Sequence, residues 1–110
     1  MQQICNIDQI DDGDARGFDV ALVGKDVNII CVRQGQRIFA YRNSCPHTGI
    51  NLEWLPDQFL DDTKQYIVCS SHGALFQVED GHCVAGPCAG DALEPVATVI
   101  ENGIVLCDVK

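Results

Sequence analysis

Residues 44–76 read SCPHTGINLEWLPDQFLDDTKQYIVCSSHGALF, and this stretch decides how the rest of the chain is interpreted. It contains two short pairs of metal-binding side chains, Cys45 with His47 and Cys69 with His72, and 21 residues separate the pairs. Two thiolates and two imidazoles form a soft four-donor set, which suits zinc or an iron–sulfur cluster far better than magnesium or calcium. The pairs therefore predict a metal site, and their chemistry alone leaves both of these occupants open.

The residues around the pairs match the pattern of a known family. Pro46, Gly49, Gly73 and Phe76 stand where the stretch resembles the Rieske pattern C-P-H-x-G…C-x-x-H-G-x-x-F. The chain is similar to the small soluble Rieske-type [2Fe-2S] ferredoxins, in particular to the low-potential ones that serve dioxygenases. The resemblance is strongest over residues 44–90. One departure is the interval between the pairs, which is a few residues longer than usual, with the surplus in 53–65.

The resemblance implies one [2Fe-2S] cluster per chain, with Cys45, His47, Cys69 and His72 as its ligands. In that family two cysteines hold the inner iron, and two histidines hold the outer iron through Nδ1, with Nε2 open to solvent. Carried over to this chain, Cys45 and Cys69 bind the first iron, and His47 and His72 bind the second.

Three further glycine positions follow from the resemblance, and each has a simpler alternative. Gly49 and Gly73 are expected to let the backbone approach the cluster and to donate amide hydrogen bonds to its sulfurs, because glycine has no Cβ. The alternative is that both are ordinary turn glycines. Residues 86–87, Gly-Pro, resemble the family's third loop, which shields the cluster, and the alternative is again an ordinary turn.

The resemblance also bears on the reduction potential. High-potential members of the family place a serine two residues after the second histidine and a tyrosine two residues further on. This chain has Ala74 and Phe76 at these positions, and neither side chain can donate a hydrogen bond to a cluster sulfur. Because such bonds raise the potential, we expect a value near the low end of the Rieske range, about −150 mV.

The composition is that of one ordinary globular domain. The chain has 110 residues, of which 46% are hydrophobic and 21% are charged, so we expect a single domain over 1–110. The formal net charge of −9 disfavours nucleic acid and anionic membranes as partners and favours redox proteins with basic docking patches. A simpler interpretation is that the acidic surface only keeps the protein, which we expect to be a monomer, in solution.

The N-terminus and the cysteine count predict the compartment. The first residues lack the basic and apolar regions of a signal peptide, and the longest apolar run, 29–32, is too short to span a bilayer. These features separate the chain from the membrane-anchored Rieske subunits of respiratory complexes. Seven cysteines without a signal sequence indicate a reducing compartment rather than a disulfide framework. We therefore expect a cytoplasmic protein.

Short apolar segments separated by turns predict an all-β fold. Strands are predicted at 3–7, 18–23, 27–33, 37–42, 74–78, 82–85, 98–101 and 104–109. Turns are predicted at 24–26, 34–36, 79–81 and 102–103, and the last of these, Asn-Gly, favours the type I′ turn of a hairpin. Pro56 limits the one helical turn that 51–62 can hold. The resemblance implies an antiparallel β-sandwich base with an inserted cluster-binding subdomain at about 43–77.

The five remaining cysteines have structural interpretations. Cys5, Cys31 and Cys107 lie in apolar strand patterns and are expected to be small buried hydrophobic residues. Cys83 and Cys88 are close enough in sequence for a disulfide, but the expected compartment argues against one.

The function that follows from these expectations is one-electron transfer between other proteins, without catalysis by the chain itself. The resemblance implies a carrier between a reductase and a terminal oxygenase or a similar acceptor. One alternative is the electron-transfer small subunit of a nitrite reductase, although members of that group often lack the ligands. The others are a structural Cys2His2 zinc module and the Rieske domain of an oxygenase large subunit. The end of the chain at Lys110, just after a finished hairpin, argues against the last of these.

Overall fold

The protein, seen in a computed structural model, is built almost entirely of short antiparallel strands. The structure describes residues 2–22, 25–43, 59–61, 63–69, 73–86 and 90–107. The strands found there are β1 (Gln2–Asn6), β2 (Ala15–Leu22), β3 (Lys25–Gln34), β4 (Arg37–Arg42), β5 (Tyr66–Val68), β6 (Leu75–Gln77), β7 (Cys83–Ala85), β8 (Pro95–Val96), β9 (Thr98–Glu101) and β10 (Ile104–Cys107). No helix among the described residues is long and apolar enough to cross a membrane. The predicted all-β class is confirmed.

The strands form three sheets. The base sheet has the order β1-β10-β9, the central sheet β2-β3-β4-β8, and the insert sheet β5-β6-β7. In the central sheet β4 and β8 are neighbours, with Tyr41 paired to Pro95. The chain between them therefore leaves the central sheet and returns to it, and the insert sheet lies within this excursion. The insert sheet ends with β7 at Ala85, and the cluster-binding subdomain is predicted at about 43–77.

The central sheet is the middle of three layers, because both of its faces are buried. One face packs against the base sheet in the base core, which consists of Cys5, Ile7, Ile10, Val20, Ile29, Cys31, Ala40, Val105 and Cys107. Its other face packs against the insert sheet in the insert core, which consists of Ala15, Ile30, Val32, Tyr41, Phe59, Ile67, Cys69, Ala74, Phe76, Val78, Cys83 and Leu93. The predicted burial of Cys5, Cys31 and Cys107 is confirmed.

Strand β3 shows why its sequence is apolar without alternation. Ile29 and Cys31 belong to the base core, whereas Ile30 and Val32 belong to the insert core, and each is at most 1% exposed. Successive side chains of a strand point to opposite faces. A strand in the middle of three layers must therefore be apolar at consecutive positions, whereas its sequence predicted burial of at least one face.

The β2–β3 hairpin is longer than its sequence predicts. β2 begins at Ala15, three residues before the predicted start, and β3 begins at Lys25, so the predicted turn at 24–26 is wrong for its last two residues. Leu22 pairs with Lys25, and the connection at 23–24 lies outside the described residues. The apolar pattern is shorter than the hairpin. The ladder consists of backbone hydrogen bonds, so it can continue through charged residues whose side chains take no part in it.

The sequence pattern does not predict β5, β8 or a turn of 3-10 helix at Ile7–Gln9. β5 has three residues and β8 has two, which is too short for any periodicity to appear. The 3-10 turn follows a capping box, in which the Asn6 side chain accepts from the Asp8 amide and the Gln9 side chain accepts from the Asn6 amide. Most of the predicted helical turn, 51–58, lies outside the described residues.

Candidate metal centre

Of the four predicted ligands, the structure describes Cys69, whereas Cys45, His47 and His72 lie outside the described residues. Cys69 directly follows β5 and is completely buried in the insert core. The geometry of the candidate site is therefore built from Cys69 and the segments that surround it.

The strand that ends at Cys69 is held from both sides. On one side Val68 pairs with Leu75 of β6. On the other side the Val68 amide donates to the Phe59 carbonyl oxygen at 2.8 Å. The Phe59 ring lies against Gly17 of β2, where a Cβ would come within 3.0 Å of the ring carbon Cζ. The chain that enters β5 is thus packed on the central sheet before it delivers Cys69.

The segment that carries the second pair is closed by two backbone hydrogen bonds. The Cys69 amide donates to the Ala74 carbonyl oxygen at 2.9 Å, and the Gly73 amide donates to the Cys69 carbonyl oxygen at 2.8 Å. Gly73 has a φ of +68°, in the left-handed region that favours glycine. Because its amide already donates within the loop, the geometry supports the turn-glycine alternative for Gly73. Gly49 lies outside the described residues.

The end of β7 lies against the same loop. Gly86 has a φ of +100°, and a Cβ there would lie 2.8 Å from Ala74 Cα and 3.0 Å from Ala74 Cβ. Glycine is required both by the backbone conformation and by the lack of space. Of the predicted third loop, the structure describes Gly86 and not Pro87. This contact with the second-pair loop favours the third-loop interpretation over an isolated turn.

The chemistry of the described donor fits a metal site. Cys69 lies in the insert core with Ile67 and Phe76, and all three residues are fully buried. A thiolate in apolar surroundings is costly unless a cation neutralises it, and a coordinated metal supplies that cation. The described residues alone contain no group of three or more potential ligands, since the other three predicted ligands lie outside them. A buried thiolate donor at the start of a loop whose ends are hydrogen-bonded to each other suits an iron–sulfur cluster.

Tyr41 links the central sheet to the insert sheet, and sequence analysis did not identify it. Its hydroxyl donates to the Val78 carbonyl oxygen, and its ring lies so close to Gly81 that a Cβ there would come within 2.7 Å of Cε1. Burial, together with the negative charges of Asp80 and Glu79, raises the pKa of Tyr41 to about 12. Tyr41 therefore stays neutral and keeps its donor, which holds β4 to the turn after β6.

Asn43 is a second residue that sequence analysis did not identify. It follows β4, two positions before Cys45, and it is the one buried polar side chain among the described residues. Its side-chain amide donates to the Asn28 side-chain oxygen at 2.6 Å. A buried asparagine in an apolar strand end has no signature in the sequence, because its partner lies 15 residues earlier.

The remaining cysteine pair is partly described. Cys83 is buried, and its thiol donates to the Ala85 carbonyl oxygen at 3.2 Å. Cys83 is a free cysteine in the structure, and Cys88 lies outside the described residues.

Solved structures with the same fold include ferredoxins over their whole length. The ferredoxin of carbazole 1,9a-dioxygenase from Nocardioides aromaticivorans IC177 is 25% identical, with 100% of both chains covered and a TM-score of 0.78. A ferredoxin from Sphingomonas yanoikuyae B1 is 23% identical, with 98% of this chain and 97% of that chain covered and a TM-score of 0.74.

A terminal oxygenase shares the fold over part of its length. In the terminal oxygenase of carbazole 1,9a-dioxygenase from Novosphingobium sp. KA1, the match covers 97% of this chain but 29% of that chain, with 20% identity and a TM-score of 0.77. No curated protein sequence matches the chain.

The comparison with protein families agrees with the fold and with the chemistry of Cys69. The family model of the Rieske [2Fe-2S] domain matches residues 1–101, which is nearly the whole chain. The chain belongs to the Rieske [2Fe-2S] domain family, whose members bind a [2Fe-2S] cluster.

Proposed function

We propose that this protein is a one-electron carrier that holds one Rieske [2Fe-2S] cluster through Cys45, His47, Cys69 and His72. The observation that carries the proposal is the end-to-end likeness to a dioxygenase ferredoxin, which covers all of both chains. When bound, such a cluster accepts and returns a single electron. The task of the chain is then to hold the cluster in a fixed, largely dry setting and to present it to other proteins.

The described residues support the first part of that task. The two hydrogen bonds across the second-pair loop fix both of its ends, and the contact of Gly86 with Ala74 closes the loop from another side. Cys69 is shielded from water by the insert core. Fixed ligands and low exposure reduce the rearrangement that accompanies a change of charge, which favours rapid electron transfer.

The proposed partners are a reductase that supplies electrons and a terminal oxygenase that receives them. Solved complexes pair oxygenase and ferredoxin in carbazole 1,9a-dioxygenase, and this chain resembles a chain of such a complex over 96% of its length at 23% identity. The net charge of −9 favours partners with basic docking patches, whose attraction accelerates encounter at low ionic strength. We expect the carrier to act as a monomer in the cytoplasm.

One alternative has an observation of its own. The likeness to a terminal oxygenase chain favours the Rieske domain that receives electrons within an oxygenase. Such a domain delivers its electron within the oxygenase, whereas a carrier must give its electron to a separate protein. The two functions therefore differ in whether the acceptor is a separate protein or part of the same oxygenase.

The test is a stoichiometric electron transfer. The purified protein is reduced with dithionite, desalted without oxygen, and mixed with oxidised cytochrome c, a basic one-electron acceptor. We expect each chain to reduce one cytochrome, at a rate that falls as salt is added. Metal analysis of the same sample should find about two iron and two sulfide per chain. One zinc without sulfide would overturn the proposal, and so would a sample with a full cluster that transfers no electron.

A further inference from the structure

Asn43 occupies the point at which the chain leaves the central sheet for the first ligand pair. β4 ends at Arg42, which pairs with Ile29 of β3, and Asn43 follows directly. Cys45 is two residues further along, and two residues of extended chain span at most about 7 Å. The position of Asn43 thus limits where Cys45 can lie, whatever path the intervening residues take.

Two hydrogen bonds fix Asn43 to the same partner, Asn28 of β3. The Asn43 backbone amide donates to the Asn28 carbonyl oxygen at 2.9 Å, and the Asn43 side-chain amide donates to Asn28 Oδ1 at 2.6 Å. One bond alone would hold the position of Asn43 and still allow it to rotate. Two bonds to one residue fix both the position and the direction of the chain.

A carboxylate at the surface holds Asn28 in turn. Asn28 pairs with Asp19 in the β2–β3 ladder, and its Nδ2 donates to Asp19 Oδ1 at 2.9 Å. This bond orients the Asn28 amide group so that its oxygen faces Asn43, and an ionised acceptor strengthens the chain of bonds behind it. Burial of Asn43 would be costly without such a partner, so the network offsets a desolvation cost that an apolar strand end does not incur.

We propose that Asn43, oriented by Asn28 and Asp19, is a positioning residue that sets where the segment bearing Cys45 and His47 leaves the central sheet. This inference rests on the proposed function, since it assigns the network a role at the cluster site. The simpler alternative is that the network only terminates β4. A strand terminator would change the stability of the fold without changing the properties of the cluster in molecules that stay folded.

Three variants separate these two roles. Asn43→Ala removes the side-chain bond, and Asn28→Ala removes the same bond while leaving the buried residue in place, which matters if Asn43→Ala does not fold. Asp19→Asn removes the charge but keeps an oxygen that accepts from Asn28. A base-core variant, Ile29→Val, serves as the control for a general loss of stability, because Ile29 neighbours Asn28 and faces away from the insert sheet.

The measurements are the rate of iron release to a chelator, the EPR g values and the reduction potential, all in the iron-loaded protein. We expect Asn43→Ala and Asn28→Ala to speed iron release by roughly tenfold and to shift the g values and the potential in the same direction. The double variant Asn28→Ala/Asn43→Ala should do no more than either single variant, since each single change already removes the bond between these two side chains. Asp19→Asn should lie between these variants and the wild type, and Ile29→Val should melt earlier with unchanged g values and potential.

Folded Asn43→Ala and Asn28→Ala proteins with wild-type iron release, g values and potential would overturn the positioning role. In that case their lowered melting temperatures would assign the network to strand termination. A wild-type protein that contains no iron and sulfide gives a different result, because it overturns the proposed function and the positioning role with it.

Discussion

The base core and the insert core both bury cysteine, and the difference between these cysteines shows what makes a thiol a ligand. Cys31 lies within β3 and Cys69 lies directly after β5, and both are fully buried. Burial and the neighbouring Cys5 and Cys107 raise the pKa of Cys31, so its thiol stays protonated and packs as an apolar side chain. Burial alone therefore does not create a metal site.

What distinguishes Cys69 is its place in the backbone. Cys31 has strand neighbours on both sides, paired with Arg16 and Ala40, so its surroundings are closed by the central sheet. Cys69 lies at the end of a strand, where a loop begins. The Cys69 amide closes this loop by donating to the Ala74 carbonyl oxygen. A loop offers space for further ligands and for a cofactor, whereas a strand interior does not.

The largest effect is expected from the same substitution in the two cores. Cys69→Ser should abolish cluster binding, because a hydroxyl is a hard and poor replacement for a thiolate. Cys31→Ser should keep about two iron and two sulfide per chain and lose about 1–3 kcal/mol of unfolding free energy, the cost of a buried hydroxyl without a partner. Iron and sulfide analysis with urea unfolding measures both. A Cys69→Ser protein with a full cluster would remove Cys69 from the ligand set.

The next effect compares neighbouring residues of β3 that face opposite cores. Ile29→Ala and Ile30→Ala should each lower the free energy of unfolding by about 2–5 kcal/mol, since both side chains are fully buried. Only Ile30→Ala opens a cavity in the core that contains Cys69, so it should also speed the release of iron to a chelator. Equal release rates for the two variants would show that the insert core does not protect the cluster.

These comparisons also show what the sequence could and could not predict. The spacing of the Cys–His pairs and the glycines around them identify the family. Regular alternation gives the exact bounds of β4, and the hairpin with the Asn-Gly turn gives those of β9. The short strands β5 and β8 exist because partners from elsewhere in the chain pair with them, and a local pattern does not contain that information. Local sequence also does not show which core each face of β3 fills.

The supporting residues of the site are hidden for the same reason. Tyr41 looks like an ordinary strand residue until the fold brings Val78 to its hydroxyl and Gly81 to its ring. Gly73 differs in another way. The resemblance suggests that its amide donates to the cluster, whereas in the structure this amide donates to the Cys69 carbonyl oxygen. Local chemistry predicts ligands well, whereas the residues that hold them in place depend on long-range contacts.

A smaller effect is expected from the link between the central and insert sheets. Tyr41→Phe leaves the buried Val78 carbonyl without its donor and should cost about 1–3 kcal/mol of unfolding free energy near neutral pH. The pKa of Tyr41 in the folded wild-type protein is about 12, above the ordinary tyrosine value of about 10. The wild type therefore loses this stabilisation as the pH rises from about 10 to 12, because the unfolded tyrosine ionises first.

Urea unfolding at several pH values checks this expectation. The stability difference between wild type and Tyr41→Phe should be constant below about pH 10 and shrink above it. Tyr66→Phe, which replaces the other tyrosine of the chain, is the control and should retain the alkaline decline. A difference that stays constant up to pH 12 would show that Tyr41 does not keep its proton in the folded protein.

The smallest effect concerns the reduction potential and two residues of the insert core. Ala74 and Phe76 are at most 1% exposed. The family resemblance places them where high-potential members are expected to have serine and tyrosine donors. Ala74→Ser and Phe76→Tyr each offer one hydrogen bond to a cluster sulfur, and a net hydrogen bond contributes about 0.5–1.5 kcal/mol. For one electron this corresponds to roughly 20–65 mV, at 59 mV for each tenfold change in the equilibrium.

The two substitutions differ in the space that each requires. Ala74→Ser adds one atom beside Gly86, whereas Phe76→Tyr forces a hydroxyl into a filled core, at a cost of about 1–3 kcal/mol of unfolding free energy. Both substitutions should raise the potential, which we expect near −150 mV in the wild type, and only Phe76→Tyr should also destabilise the fold strongly. Ala40→Ser makes the same change in the base core and should leave the potential unchanged. Protein-film voltammetry measures the potentials. A wild-type potential above zero would contradict the role given to Ala74 and Phe76. An equal shift of the potential in Ala40→Ser and Ala74→Ser would contradict the role of Ala74.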